Sequence, residues 1–319
     1  MILRRNVLAV ALMAAAVFST VQCKKDGVNS DGKSQTENIE KGEDFSSLEK
    51  AREGMQYSIF VFPDGKKDSA MKAFQAQFDT LQQYNILAIN RLDKKHISNA
   101  DTLVVPNKFE QDFRAYSPFP FKMEILRDVP KFVVFSYPVQ AFAVYEKGDL
   151  KKWGPTSLGR KDKPTTAGLH FTNWKKELHQ STVKDEWMLP YNFNIENEEG
   201  IGWHEYDLPG YPASHSCLRL LHNDAVWMYD FAEQWILDKD GNTPIAKGTP
   251  VLVYGDYNWD GPKIWKQLAK NPKITNISEQ DLAAQIQPYK AEILKEQENR
   301  ATVIKTTPES EIEGKMPAK

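Results

Sequence analysis

The chain has 319 residues, 41% of them hydrophobic and 11% aromatic, and a formal net charge of −2. That length gives room for about two domains with a sizeable core. The near-neutral balance excludes the basic footprint of a nucleic-acid binder.

Residues 1–23, "MILRRNVLAVALMAAAVFSTVQC", begin with Arg4 and Arg5 and continue into an apolar run over 7–21. The run is shorter than the ~20 residues of a membrane span and reads as an export signal. It ends at Cys23, where a bacterial lipoprotein signal places its lipidated cysteine. Val21 fits that pattern, whereas Gln22 stands where a small residue is expected. The expectation is a periplasmic protein, lipid-anchored to the inner or outer membrane. Ordinary signal cleavage to a soluble exported protein is the alternative. With Cys23 lipidated, Cys217 is the one free thiol, since the chain has two cysteines. A lone thiol in an oxidising compartment is more often reactive than structural.

Residues 24–55 are polar and charged and read as a flexible tether. A small α+β domain is expected over 56–128. It opens with a strand at 57–62, followed by a helix in "MKAFQAQFDTL" with Phe74, Phe78 and Leu81 on one face. The stretch "YNILAINRLDKKHISNADTLVVPN" then reads as a helix-like segment, a turn and a short strand. It resembles the second half of a LysM peptidoglycan-binding module, with Leu87, Asn90, Leu92, Leu103 and Pro106 at the pattern positions. A plain α+β domain is the simpler reading. His96 lies in a polar turn and is expected to be solvated.

From 129 to 256 the chain is β-rich. "KFVVFSYPVQAFAVYEKGDLKKWGPTS" predicts three strands with a hairpin turn at Lys147-Gly148-Asp149, and "NDAVWMYDFAEQWIL" predicts a helix. Residues 257–319 form a helical extension and a disordered tail. Within it, Ser278 and Asp281 suit a capping box, Leu282, Ile286, Tyr289 and Ile293 share a face, and Pro288 marks a kink.

The chemistry concentrates in "YPASHSCLRL" over 211–220 and in "GIGWH" ending at His204. A thiol nucleophile needs a nearby base, donors for an oxyanion and an accessible position. His204 can supply the base from a strand. The Pro-containing loop before Cys217 can present its sulfur, and the backbone N–H groups of Ser216 and Cys217 can serve as donors. His204, His215, Cys217 and His222 could also form a zinc set, but their spacing matches no common zinc pattern, so neither metal nor cofactor is expected. His170 and His179 read as surface or hydrogen-bonded residues, and most of the eight tryptophans as core or rim.

Residues 131–256 resemble the L,D-transpeptidase (YkuD) family. Its histidine, loop and "SHGC" followed by an apolar residue and Arg or Asn appear as His204, the loop and Ser214-His215-Ser216-Cys217-Leu218-Arg219. The resemblance implies a YkuD-like β-sandwich, so the chain as a whole is expected to be mainly β (α+β). It implies Cys217 as a nucleophile forming a thioester with a peptidoglycan stem peptide, D-alanine leaving and a neighbouring stem amine attacking. His204 takes the role of base and His215 lines the site. Ser214, Ser216 and Arg219 support the loop and the oxyanion. Trp203 and Tyr211, which flank the motif, are expected in the substrate groove. With water as acceptor the same site is a carboxypeptidase. Three departures stand out: Ser216 at a family glycine, an altered strand at Thr165-Thr166-Ala167-Gly168, and an insertion between Phe231 and Ala246. The first leaves open a weakened wall-binding or scaffold lipoprotein on the same fold.

Overall fold

The chain begins its fold earlier than expected. The computed structural model describes residues 42–62, 67–181 and 184–307, which belong to one compact unit. The expected signal segment with Cys23, the tether over 24–41 and the tail from 308 lie outside the described residues. The tether, expected to reach residue 55, is corrected from residue 42 onward. Helix α1 (Ser46–Glu53) stands there, flanked by buried Phe45 and Met55. Phe45 stacks on Phe121 at 5.5 Å between ring centroids. Two apolar anchors offset the ordering entropy of a short charged helix.

Next come β1 (Tyr57–Val61), α2 (Lys67–Gln77), α3 (Thr80–Ile89) and β2 (Thr102–Pro106). β1 and β2 pair antiparallel. The single helix expected over 71–81 is broken at Asp79. Its carboxylate accepts the Gln82 N–H at 2.9 Å, and the Gln82 side chain accepts the Asp79 N–H at 3.1 Å, which starts α3 with a capping box. The break turns Leu81 to solvent, 59% exposed, while Phe74 and Phe78 pack with Leu87, Leu92 and Leu103. Asn90 is buried, and its amide bonds both the N–H and the C=O of Val104 at 2.9 and 2.8 Å. The LysM-like positions thus hold helix to strand.

The remaining strands are β3 (Lys131–Ser136), β4 (Ala141–Glu146), β5 (Asp149–Pro155), β6 (Gly168–Phe171), β7 (Lys175–Gln180), β8 (Met188–Glu196), β9 (Ile201–Glu205) and β10 (Leu218–Leu220). After them come α4 (His222–Phe231), β11 (Ile236–Leu237), β12 (Pro244–Ala246), β13 (Pro250–Tyr254), α5 (Glu279–Ile286) and α6 (Lys290–Thr306). One sheet has the order β5-β4-β3-β13-β6 and the other β10-β9-β8-β7. Val133 and Phe135 of β3 meet Phe193, Trp203 and Leu218 of the second sheet. Phe132 and Val134 point the other way, onto Ile89, Phe119, Trp265 and Leu282. A sheet buried on both faces needs apolar residues at every position, so β3 reads "KFVVFS" without alternation.

The helix expected over 223–237 stops at Phe231, and Ile236–Leu237 instead pairs with β12. This hairpin occupies the stretch between Phe231 and Ala246 expected to be an insertion. Arg300 of α6 fastens it through Glu233 Oε2 (2.7 Å) and the carbonyls of Gln234 (2.8 Å) and Lys247 (3.0 Å). Pro288 sits in the turn between α5 and α6, and Leu282, Ile286 and Ile293 are buried.

Arg91 ties the first module to the sandwich. Its side chain is buried, with the guanidinium carbon 5.5 Å from the Trp153 ring centre and 5.4 Å from that of Trp265. It donates to the carbonyls of Val139 (2.8 Å), Ile89 (2.8 Å) and Ala88 (3.2 Å). Arg91→Ala will lower the unfolding free energy in a urea titration by about 3 kcal/mol or more, through unpaired carbonyls and a cavity between indoles. Arg91→Lys, charged but without the planar fork, will recover only part of that loss.

Candidate active site

Two parallel strands set the site. Leu218 lies opposite Trp203, and Arg219 opposite His204. Side chains alternate along a strand, so Trp203 and Leu218 go inward, both 0% exposed. His204, Arg219 and Cys217, two residues before Arg219, share the outer face. Ordinary strand spacings put the Cα atoms of Cys217 and His204 roughly 8 Å apart on that diagonal.

The alternation corrects Trp203. It is no groove residue but core, 5.1 Å from the Phe193 ring and 6.2 Å from that of Phe135. Tyr211 is exposed at 46%, with Lys263 Nζ 5.1 Å from its ring centre, and lies outside the pocket around Cys217. That pocket, about 40 Å³, is lined by Cys217, His204, His215 and Arg219 together with Ser181, Trp187, Leu189 and Tyr206. The last four were not foreseen. Tyr206 was legible as the second residue after His204, and its ring packs edge-on at 5.7 Å. Trp187 comes from the connection between β7 and β8 and covers His215 at 5.1 Å; no motif marks it.

The loop carrying Cys217 is clamped from three sides. Ser214, buried, donates its N–H to the Leu158 carbonyl at 3.1 Å and accepts the Arg160 N–H at 3.0 Å. Its hydroxyl donates a short bond to the Cys217 carbonyl. Ser216 has φ +85°, the left-handed region that costs a residue with Cβ about 1 kcal/mol. Thr165, expected on a strand but lying in the connection before β6, which begins at Gly168, donates its hydroxyl to the Ser216 carbonyl at 2.7 Å. Arg219 lies over Tyr206 and donates to the carbonyls of Ala213 at 3.1 Å and Asp207 at 3.3 Å.

The third clamp comes from the first module. The Asp93 carboxylate accepts the Leu208 N–H at 2.6 Å, and the Asp93 N–H donates to the Leu208 carbonyl at 3.0 Å. His96 Nδ1 sits 2.8 Å from the same carboxylate, so His96 is a half-buried partner and not the solvated residue expected. Lys95 pairs with Asp207 at 2.9 Å.

The electrostatics favour a neutral pair. His204 Nδ1 lies 2.8 Å from the Glu205 carbonyl. A carbonyl only accepts, so Nδ1 carries the proton and Nε2 keeps its lone pair. Burial lowers the His204 pKa to about 4, the Glu205 bond opposing and the Arg219 charge assisting. Burial pushes the Cys217 thiol up, while a backbone bond from Gly202 and the Arg219 charge pull it back. His215 is also lowered, by burial and then by Arg160 and Arg219, and its buried Nδ1 has no hydrogen-bond partner among the described residues. His222 stands apart, its Nδ1 2.8 Å from Glu205 Oε2. A neutral thiol beside a neutral imidazole can pass its proton as the sulfur attacks, with no resting ion pair.

Residues 130–253 match the family model YkuD, described as the L,D-transpeptidase catalytic domain, and this segment is a domain of that family. Solved structures with a likeness include an L,D-transpeptidase from Stackebrandtia nassauensis, at 24% identity and a TM-score of 0.33, covering 40% of this chain and 57% of that one. One from Mycobacterium smegmatis has 18% identity, a TM-score of 0.32 and coverages of 40% and 59%. One from Mycobacterium tuberculosis has 21% identity, a TM-score of 0.31 and coverages of 40% and 58%. The chain thus spans less than two-thirds of each. No curated protein matches the chain.

The lowered His204 has a consequence in acid. Above pH ~6.5 it is neutral whether the chain is folded or not; below, only the unfolded chain binds the proton until folded His204 titrates near its own pKa of about 4. Stability is therefore lost as pH falls through that window. Between pH 7 and pH 4 the wild type will lose about 3 kcal/mol more unfolding free energy than His204→Gln, in parallel denaturant titrations.

Proposed function

We propose that this protein is an L,D-transpeptidase that joins peptidoglycan stem peptides through a thioester on Cys217. The observation that carries the reading is the shared outer face of β9 and β10, where a neutral His204 with a bare Nε2 faces one pocket with the Cys217 thiol. As Sγ attacks the carbonyl carbon of the donor stem, His204 Nε2 takes the thiol proton. Backbone N–H groups of Ser216 and Cys217 receive the developing oxyanion. The amide bond breaks, the proton passes to the departing D-alanine amine, and a thioester remains. An amine of a second stem then attacks, loses a proton to His204 and displaces the thiol, forming the cross-link. Water as acceptor gives the carboxypeptidase outcome. Arg219 is a positioning residue for the loop. Cys23, read as lipidated, would anchor the protein at a periplasmic membrane face, and its replacement by Ala should release the protein from the membrane fraction.

The strained φ of Ser216 favours one competing reading, a weakened scaffold on the same fold. Intact-mass spectrometry with a carbapenem separates the two. Opening of the lactam by the thiol breaks the C–N bond, forms a thioester and adds the mass of the drug once. Cys217→Ala will give no adduct. His204→Ala will label about 10²-fold more slowly or worse, with partial rescue at high pH. Asp93→Ala will label about tenfold more slowly while folded, with partial recovery in Asp93→Asn, whose side-chain oxygen still accepts. A folded wild type that never labels rejects the enzyme reading.

A further inference from the structure

One residue inside a strand has a backbone that strands do not use. Tyr191, in β8, has φ +53°, the left-handed region that a bulky aromatic residue rarely enters. The antiparallel register with β7 continues on both sides of it, Asn192 facing Lys176 and Pro190 facing Leu178, and the pair at Tyr191 is missing. Such a conformation persists where its surroundings hold it. Here α4 does so: the Tyr191 ring meets His222 edge-on at 5.6 Å and Tyr229 at 5.8 Å.

Side chains four apart on a regular strand share a face. Phe193 faces the interior, 5.1 Å from the Trp203 ring, and regular alternation would send Leu189 there too. Leu189 instead lines the Cys217 pocket with His204 and Arg219, which project from the opposite face. Trp187, two residues before Leu189, keeps the pocket face and covers His215 at 5.1 Å. Met188 between them is 44% exposed. The strand therefore changes face between Phe193 and Leu189, and the residue midway is the one with the left-handed backbone. An extended Tyr191 would turn Leu189 and Trp187 away from the thiol and bring Met188 and Pro190 round to it.

We propose that Tyr191 is a positioning residue for the Cys217 site: its left-handed backbone turns the face of β8, so that Leu189 and Trp187 wall the pocket. Ring and backbone have separate roles. The ring, packed on α4, holds a conformation that an aromatic residue disfavours, and that conformation sets the wall. Neither Leu189 nor Trp187 moves a proton in the reaction, so the wall holds the acyl donor more than it assists the chemical step. The proposal rests on the transpeptidase reading for what the pocket holds, but not for the placement of its wall.

Four variants of the full chain separate ring from backbone. Two readouts follow them: carbapenem acylation by intact mass over a range of drug concentrations, and the NMR shift of the His215 ring protons. The Trp187 ring current displaces that shift, and Trp187→Ala assigns the displacement. The conservative Tyr191→Phe keeps the ring and should rescue labelling. Tyr191→Gly loses the ring but takes positive φ freely, and should label about fivefold faster than Tyr191→Ala. Tyr191→Val, whose branched side chain disfavours the left-handed region, should label about tenfold more slowly than the wild type. Its loss should lie chiefly in the half-saturating concentration, and the His215 displacement should vanish. Packing alone predicts that Tyr191→Gly, the deeper truncation, is no better than Tyr191→Ala. That result, or a folded Tyr191→Val that keeps the displacement, overturns the proposal; if Tyr191→Val does not fold, the order of Gly and Ala decides. A wild type that never labels rejects the transpeptidase reading, and the His215 shift then decides this proposal. A displacement retained in Tyr191→Gly and weakened in Tyr191→Ala supports it, and any other pattern overturns it.

Discussion

The parallel pairing of β10 beside β9 is the constraint on which the site depends. Antiparallel neighbours can be joined by a tight turn, but parallel ones need a long crossover. Here the crossover over 206–217 is an irregular loop. It cannot satisfy its own backbone, so it borrows partners from Leu158 and Arg160, from Thr165, from Arg219 and from Asp93. The same pairing places Arg219 opposite His204 and leaves Cys217 beside Gly202. Gly202 is needed there for a separate reason: a Cβ would come 2.4 Å from the Phe193 carbonyl oxygen.

The sandwich transmits this order outward. Its five-stranded sheet is covered on one face by the second sheet and on the other by the first module and the C-terminal helices. Arg91, buried among carbonyls and two indoles, makes the first module part of the same framework. The module's next turn supplies Asp93. The segment upstream of the catalytic-domain match therefore reaches the Cys217 loop through two hydrogen bonds to Leu208, and α6 holds the β11–β12 hairpin.

Much of the site was legible because its signals are local. The histidine, loop and cysteine motif brings Cys217, His204, His215 and Arg219 to one pocket, and Ser216 has the positive φ that its place in the motif required. The double-sided burial of β3 is written in "KFVVFS". Trp203 was misjudged by sequence proximity to His204, although strand alternation sends neighbours to opposite faces. Leu81 was misjudged because the cap at Asp79 breaks the helical period. Asp93, Thr165 and Trp187 lie 30 to over 120 residues from Cys217 and act through tertiary contacts that no spacing encodes. Phe45 and Met55 were hidden in a charged stretch, since two apolar anchors do not change its overall composition.

The central claim is a resting neutral pair: a Cys217 thiol beside a His204 imidazole protonated on Nδ1. Nitrogen-15 NMR of histidine-labelled protein, assigned by comparison with His204→Gln, tests it directly. The account predicts that at pH 7 His204 shows a protonated Nδ1 and an unprotonated Nε2, with one inflection near pH 4. A doubly protonated His204 at pH 7, or a proton on Nε2 alone, would contradict it.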